Sequence, residues 1–157
     1  MQSMENSEKK IVYPYLPEGR TILYVPESNS FLKMAHEYAL AHSSDEKIKT
    51  GSVIVKNGEI IGMGANESEY HLTQGCERKR RNISTGGGYE LCEGCDPKNH
   101  SEPRAIQDAQ VKGNDTTDAD LYLAGHWWCC KPCWEAMILA GIRNVFLEDG
   151  SEEKYAR

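Results

Sequence analysis

The amino-acid sequence predicts an α/β fold in which helices cover both faces of one sheet, a three-layer α/β/α arrangement. Three observations predict it. Asn57-Gly58 falls between two apolar runs, a strong short-range signal for a β-hairpin. Residues 30–42 and 102–111 read as helices. Residues 120–147 read as strand, helix, strand, a spacing that suits a parallel crossover.

Taken in order, residues 1–28 form an arm that is polar at first and then punctuated by Pro14, Pro17 and Pro26. Tyr13, Tyr15, Ile22, Leu23, Tyr24 and Val25 give it apolar weight, so it is expected to pack on the domain or on a neighbouring subunit. In 30–42, Phe31, Leu32, Ala35, Tyr38 and Ala39 recur at helical spacing, with Asn29 or Ser30 as cap. His36 and His42 read as surface or packing residues. The hairpin comprises 52–55 and 59–63, and its second strand runs out into Gly64-Ala65-Asn66, which suits a turn.

Residues 70–99 are irregular and hold Cys76, Cys92, Cys95, the cluster Arg78-Lys79-Arg80-Arg81, and Gly86-Gly87-Gly88. No Gly-Lys-Ser/Thr follows the glycines, so they read as a flexible turn and not as a phosphate loop. This stretch is expected to be an insertion in a single domain spanning 29–157. Pro103 is tolerated in the first turn of the 102–111 helix. A strand at 120–124, a helix at 132–140 and a strand at 144–147 complete the domain.

Bulk properties narrow the function classes. Hydrophobic content is 39% and charged content 27%, ordinary for a soluble domain. The formal net charge is −6. A protein that grips a long nucleic acid usually shows a basic face. The one basic cluster, 78–81, suits a single phosphate as well as a polymer, or is simply a solvated loop. A small substrate is therefore favoured over nucleic acid. No apolar run approaches the roughly 20 residues that a membrane span needs. The segment Met1-Gln2-Ser3-Met4-Glu5-Asn6 lacks the basic and apolar regions of a secretory leader, so a cytoplasmic location is expected. In that setting the six cysteines point to metal or redox chemistry, not to a disulfide framework.

Two motifs carry the chemistry. His100-Ser101-Glu102 and Cys130-Lys131-Pro132-Cys133 each open an expected helix. A helix N-terminus offers free N–H groups and partial positive charge, which favour thiolate, the form that binds zinc. His100, Cys130 and Cys133 supply three ligands and leave a fourth position open, the mark of a catalytic Zn2+. Glu102 is placed to take a proton from water at that position and return it. A thioredoxin-like redox pair is the other reading of the cysteines, and the His-x-Glu partner argues against it. His71, Cys76, Cys92 and Cys95 fit a second, closed structural zinc; free thiols are the alternative.

The paired motifs follow the established signature of zinc nucleobase deaminases, H-x-E followed by P-C-x-x-C. Gly51-Ser52-Val53-Ile54-Val55, Gly64-Ala65-Asn66, His100-Ser101-Glu102 and residues 130–142 together resemble the cytidine and deoxycytidylate deaminase superfamily, nearest to its dCMP deaminase-like members. The resemblance runs from about residue 30 to 147. It implies a cytidine-deaminase-like sheet, Glu102 as proton shuttle, Asn66 as a sugar contact, and self-association into a homo-oligomer. Some dCMP deaminase-like members carry an extra zinc in an insertion like 70–99.

Four departures stand out. Ser101 replaces the usual alanine, and Cys129 stands where the signature has proline. The loop before Cys130 is unusually aromatic, so Trp127 or Trp128 could stack on a base or pack in the core. His126 is a further substrate-binding candidate. The chain also stops ten residues after Leu147, where family members often add a strand and a helix; the tyrosine-rich arm is expected to cover that edge.

The leading expectation is thus a zinc-dependent nucleotide deaminase, a hydrolase acting on an amidine C–N bond, converting dCMP to dUMP and ammonia. Arg104 or a residue of 78–81 would hold the phosphate. The alternatives are a base deaminase on single-stranded DNA or RNA, and an inactive zinc-stabilised binding module.

Overall fold

The structure, a computed structural model, describes residues 15–45, 49–67, 74–81 and 97–155. Among these residues five strands form one mixed sheet: β1 (Ile22–Val25), β2 (Gly51–Lys56), β3 (Glu59–Ala65), β4 (Asp120–Ala124) and β5 (Asn144–Glu148). Their order is β1-β5-β4-β2-β3. β4 and β5 run parallel, joined by a crossover helix, whereas β2 is antiparallel to both β3 and β4. The helices are α1 (Ser30–His42), α2 (Glu77–Arg80), α3 (Ser101–Val111), α4 (Lys131–Leu139) and α5 (Ser151–Tyr155), with a 3₁₀ turn at Pro97–Asn99.

Local chemistry sets these elements. Asn29 caps α1, its Oδ1 accepting from Phe31 N and Leu32 N at 3.0 Å. Asn57 and Gly58 have φ of 54° and 82°, the left-handed pair that turns a two-residue hairpin. β3 is an outer strand, as β1 is, and side chains close its edge. Asp108 Oδ2 accepts the Met63 N–H at 2.9 Å, and Asn114 Nδ2 donates to the Ile61 carbonyl at 2.8 Å. Backbone groups that could pair with another strand are thereby occupied.

The sheet separates two cores. Leu32 and Ala35 of α1 pack on Val53, Val55, Tyr122 and Ala124. On the opposite face, α3 and α4 pack on Ile54, Leu121, Leu123, Val145 and Leu147. Alternation along β2 sends Val53 one way and Ile54 the other. The fold is the three-layer α/β/α arrangement expected.

Three elements go beyond the sequence-based expectation. β1 lies in the arm and pairs in parallel with β5, Ile22 opposite Val145 through Val25 opposite Glu148. Tyr15 packs against the α3/α4 core, and its carbonyl accepts from Trp134 Nε1 at 3.2 Å. A four-residue strand beside prolines carries no alternation to read, so only its partner defines it. The short helix α2 interrupts the stretch read as irregular. α5 follows β5 and is anchored by Tyr155 Oη and Lys154 Nζ, both donating to Glu148 at 3.2 Å. Among the described residues, no helix is long and apolar enough to cross a membrane.

Candidate active site and metal centre

Two helices aim their N-termini at one place. His100 stands in the N-cap position of α3 and Cys130 in that of α4. Pro132 sits in the first turn of α4, where a missing N–H costs nothing. The glycines of β3 set how closely α3 approaches. A Cβ on Gly64 would lie 2.4 Å from Ala105 N and 2.5 Å from the Ser101 carbonyl oxygen. Only a glycine lets the first turn of α3 rest on the strand.

The three expected ligands meet. His100 Nδ1 lies 3.3 Å from Cys133 Sγ and 3.5 Å from Cys130 Sγ, and the two sulfurs are 3.1 Å apart. Zinc binds sulfur at about 2.3 Å and imidazole nitrogen at about 2.0–2.1 Å. Three donors at these separations form one face of a small tetrahedron, so the set fits a zinc ion and leaves a fourth position for another ligand. Their ligand atoms are the only such His/Cys/Asp/Glu group among the described residues. Cys130 is the first thiol to ionise, at about 5, because Cys133 hydrogen-bonds its sulfur. Burial pushes Cys133 up.

Glu102 lies on the same first turn and is 4% exposed. Burial raises its carboxyl above the ordinary range, and negative charge at Cys130 adds to this. A carboxyl so placed holds and releases a proton more readily near neutral pH than an exposed one does. Ser101 Oγ donates to Glu102 Oε1 at 3.3 Å, and the Cys129 side chain hydrogen-bonds the same carboxyl.

The substrate candidates fall in different environments. Asn66 follows β3 directly, and its Oδ1 accepts from Thr50 N at 2.9 Å and from Ser43 Oγ. These bonds fix the orientation of the amide. Trp128 is 5% exposed and belongs to the α3/α4 core, while Trp127 is half-buried at its edge. His126 Nδ1 accepts from Trp127 N at 2.9 Å and Trp128 N at 3.2 Å. Burial, together with charge at His100, lowers its pKa to about 4, so it is a neutral imidazole.

Arg104 Nη2 donates to Asn99 Oδ1 at 3.0 Å, and Arg104 lines a cleft of about 220 Å3 with Tyr38, Glu67 and Asp108. None of the three metal ligands lines that cleft. In the basic cluster, Arg78 is buried, and Arg80 and Arg81 pair with Glu77. Cys76 is buried at the start of α2. His71, Cys92 and Cys95 lie outside the described residues.

Sequence reasoning passed over Ser52 and gave Cys129 no chemical part. The available signal was a serine in the otherwise apolar run of β2, on the face turned toward α3.

A three-layer α/β domain with a His-Cys-Cys donor set at two converging helix N-termini defines a zinc protein. Residues 26–148 match the model of the cytidine and deoxycytidylate deaminase zinc-binding region, and the chain belongs to that family. Among solved structures, the dCMP deaminase of cyanophage S-TIM5, in complex with dCMP and dUMP, is similar. It has 21% identity and a TM-score of 0.53, over 74% of this chain and 76% of that one. The guanine deaminase of Bacillus subtilis aligns at 24% identity and a TM-score of 0.48, over 82% and 69%. The diaminohydroxyphosphoribosylaminopyrimidine deaminase/5-amino-6-(5-phosphoribosylamino)uracil reductase of Thermotoga maritima aligns at 25% identity and a TM-score of 0.46. That alignment covers 80% of this chain but only 32% of that one. No curated protein sequence matches the chain.

Proposed function

We propose that this protein hydrolytically deaminates a free cytosine nucleotide, converting dCMP to dUMP with release of ammonia. One observation carries the reaction type: a buried carboxyl, Glu102, on the helical turn that His100 caps, beside the His100, Cys130 and Cys133 donors that would hold zinc. When bound, zinc acidifies water and so supplies a nucleophile near neutral pH. Glu102 moves the protons, in the manner established for zinc nucleobase deaminases. It takes one as C4 is attacked and gives it to ring N3. It then carries another to the amino group, which leaves as ammonia.

The choice of a free nucleotide is supported by the family and by the net charge of −6, unfavourable for a polyanion. Asn66 would contact the sugar, with Trp127, Trp128 or His126 against the base. Arg104 or a residue of 78–81 would meet the phosphate. The reading extends to a cytoplasmic homo-oligomer and to a structural zinc on His71, Cys76, Cys92 and Cys95. Two zinc ions per chain in a metal assay would support the second site, and one would remove it.

The test is ammonia release by zinc-loaded protein from cytidine, deoxycytidine, CMP, dCMP, dCTP and single-stranded oligonucleotides containing C or A. Turnover confined to dCMP is expected. Turnover on oligonucleotides alone would overturn the reading in favour of a nucleic-acid base deaminase.

A further inference from the structure

Two departures from the deaminase signature, Ser101 for alanine and Cys129 for proline, lie against the same carboxyl group. A third polar side chain reaches them from the sheet. Ser52 Oγ and Ser101 Oγ are 2.8 Å apart, and both residues are fully buried. Ser52 is the cross-strand partner of Gly64. The two sit side by side beneath α3, so the missing side chain at 64 brings the helix down to where a serine at 52 can touch it.

Proton counting gives the pair a direction. Each hydroxyl has one proton to donate. Ser101 spends its proton on Glu102 Oε1, so Ser52 must donate to Ser101. The chain Ser52→Ser101→Glu102 ties the carboxyl to a central strand, while the Cys129 thiol holds it from the α4 side. A buried hydroxyl that loses its partner costs more than the bond itself is worth. Each serine therefore requires the other.

We propose that Ser52 and Ser101 are positioning residues: a buried hydroxyl relay that fixes the orientation of the Glu102 carboxyl from the sheet. The proposal rests on Glu102 as the proton-carrying group, but its test does not depend on turnover alone.

Ser52→Ala, Ser101→Ala and the double variant are compared as zinc-loaded proteins. In thermal unfolding, Ser101→Ala lowers Tm because it strands the Ser52 hydroxyl, and adding Ser52→Ala recovers part of the loss. In infrared difference spectra taken against Glu102→Gln, Ser101→Ala shifts the Glu102 carboxyl band. In turnover of whichever substrate the panel identifies, Ser101→Ala lowers kcat roughly tenfold, the worth of one hydrogen bond to a charged group, with KM unchanged. Ser52→Ala lowers kcat less, and the double variant matches Ser101→Ala. Additive Tm losses together with an unmoved infrared band would overturn the proposal. So would a change confined to KM, with kcat unmoved. A protein inactive on every substrate would defeat the deaminase reading, while Tm and the infrared band would still decide the relay.

Discussion

The two faces of the sheet are made by alternate residues of the same strands, yet they differ in kind. The α1 face is closed by Leu32, Ala35, Val53, Val55, Tyr122 and Ala124, with Tyr122 stacked on Phe146 at a centroid distance of 4.5 Å. The α3/α4 face buries Ser52, Ser101, Glu102, Cys129, Cys130 and Cys133 among its apolar residues. Polar groups survive burial there because each finds a donor, an acceptor or a metal-binding partner nearby. The difference teaches where chemistry can be placed in such a domain. Along its length α1 offers the sheet only its apolar stripe. α3 and α4 also pack along the sheet, but their N-termini bring N–H groups and partial charge to one point.

The sharpest way to break this contrast is at the metal centre. Cys133→Ser should abolish stoichiometric zinc binding, measured by elemental analysis, and with it any turnover. Glu102→Gln should retain zinc and lower kcat by roughly 10²- to 10⁴-fold, the usual worth of a positioned acid–base group. Retained turnover in Glu102→Gln would remove Glu102 from its assigned part.

The apolar face should respond in the opposite sense. Leu32→Ala should destabilise by about 2–5 kcal/mol in denaturant unfolding, the range for an emptied core site. Activity per folded molecule should stay the same, and a selective loss of kcat would contradict the division between the faces.

A smaller effect follows from His126. Its pKa is about 4 in the fold against an ordinary 6.5. Between those values the unfolded chain holds a proton that the folded chain does not, so stability falls as pH drops from about 6.5 to about 4. The full loss is on the order of 3 kcal/mol. Protonation also gives Nδ1 a hydrogen that faces two backbone N–H donors. His126→Gln should show a flatter acid decline in Tm than the parent, and parallel curves would argue against a buried neutral imidazole.

The smallest change is expected at the surface. Lys154 bridges Glu27 at 3.3 Å and Glu148 at 3.2 Å, but its side chain is 47% exposed. Lys154→Ala should move stability by less than about 1 kcal/mol. A larger shift in unfolding would mean that the α5 end of the apolar face is tied down more firmly than an exposed ion pair allows.

Much of this division was legible in the residues. The Asn57-Gly58 turn, the apolar spacing of α1 and the crossover from β4 to β5 follow from local periodicity and turn chemistry, which need no tertiary partner. The grouping of His100, Cys130 and Cys133 was legible too, because zinc demands particular side chains at short, fixed spacings. β1 was not, since a four-residue strand exists only through its pairing with β5. Nor was the hydroxyl relay, because 49 residues separate Ser52 from Ser101. Sequence alone determined which groups the centre contains and which elements carry them. Tertiary structure decided which groups touch: that Trp128 lies in the core, that Gly64 lets α3 rest on β3, and that Ser52 reaches the turn bearing Glu102. Side-chain chemistry and local periodicity are written along the chain, whereas contact between distant segments is created only when strands and helices pack.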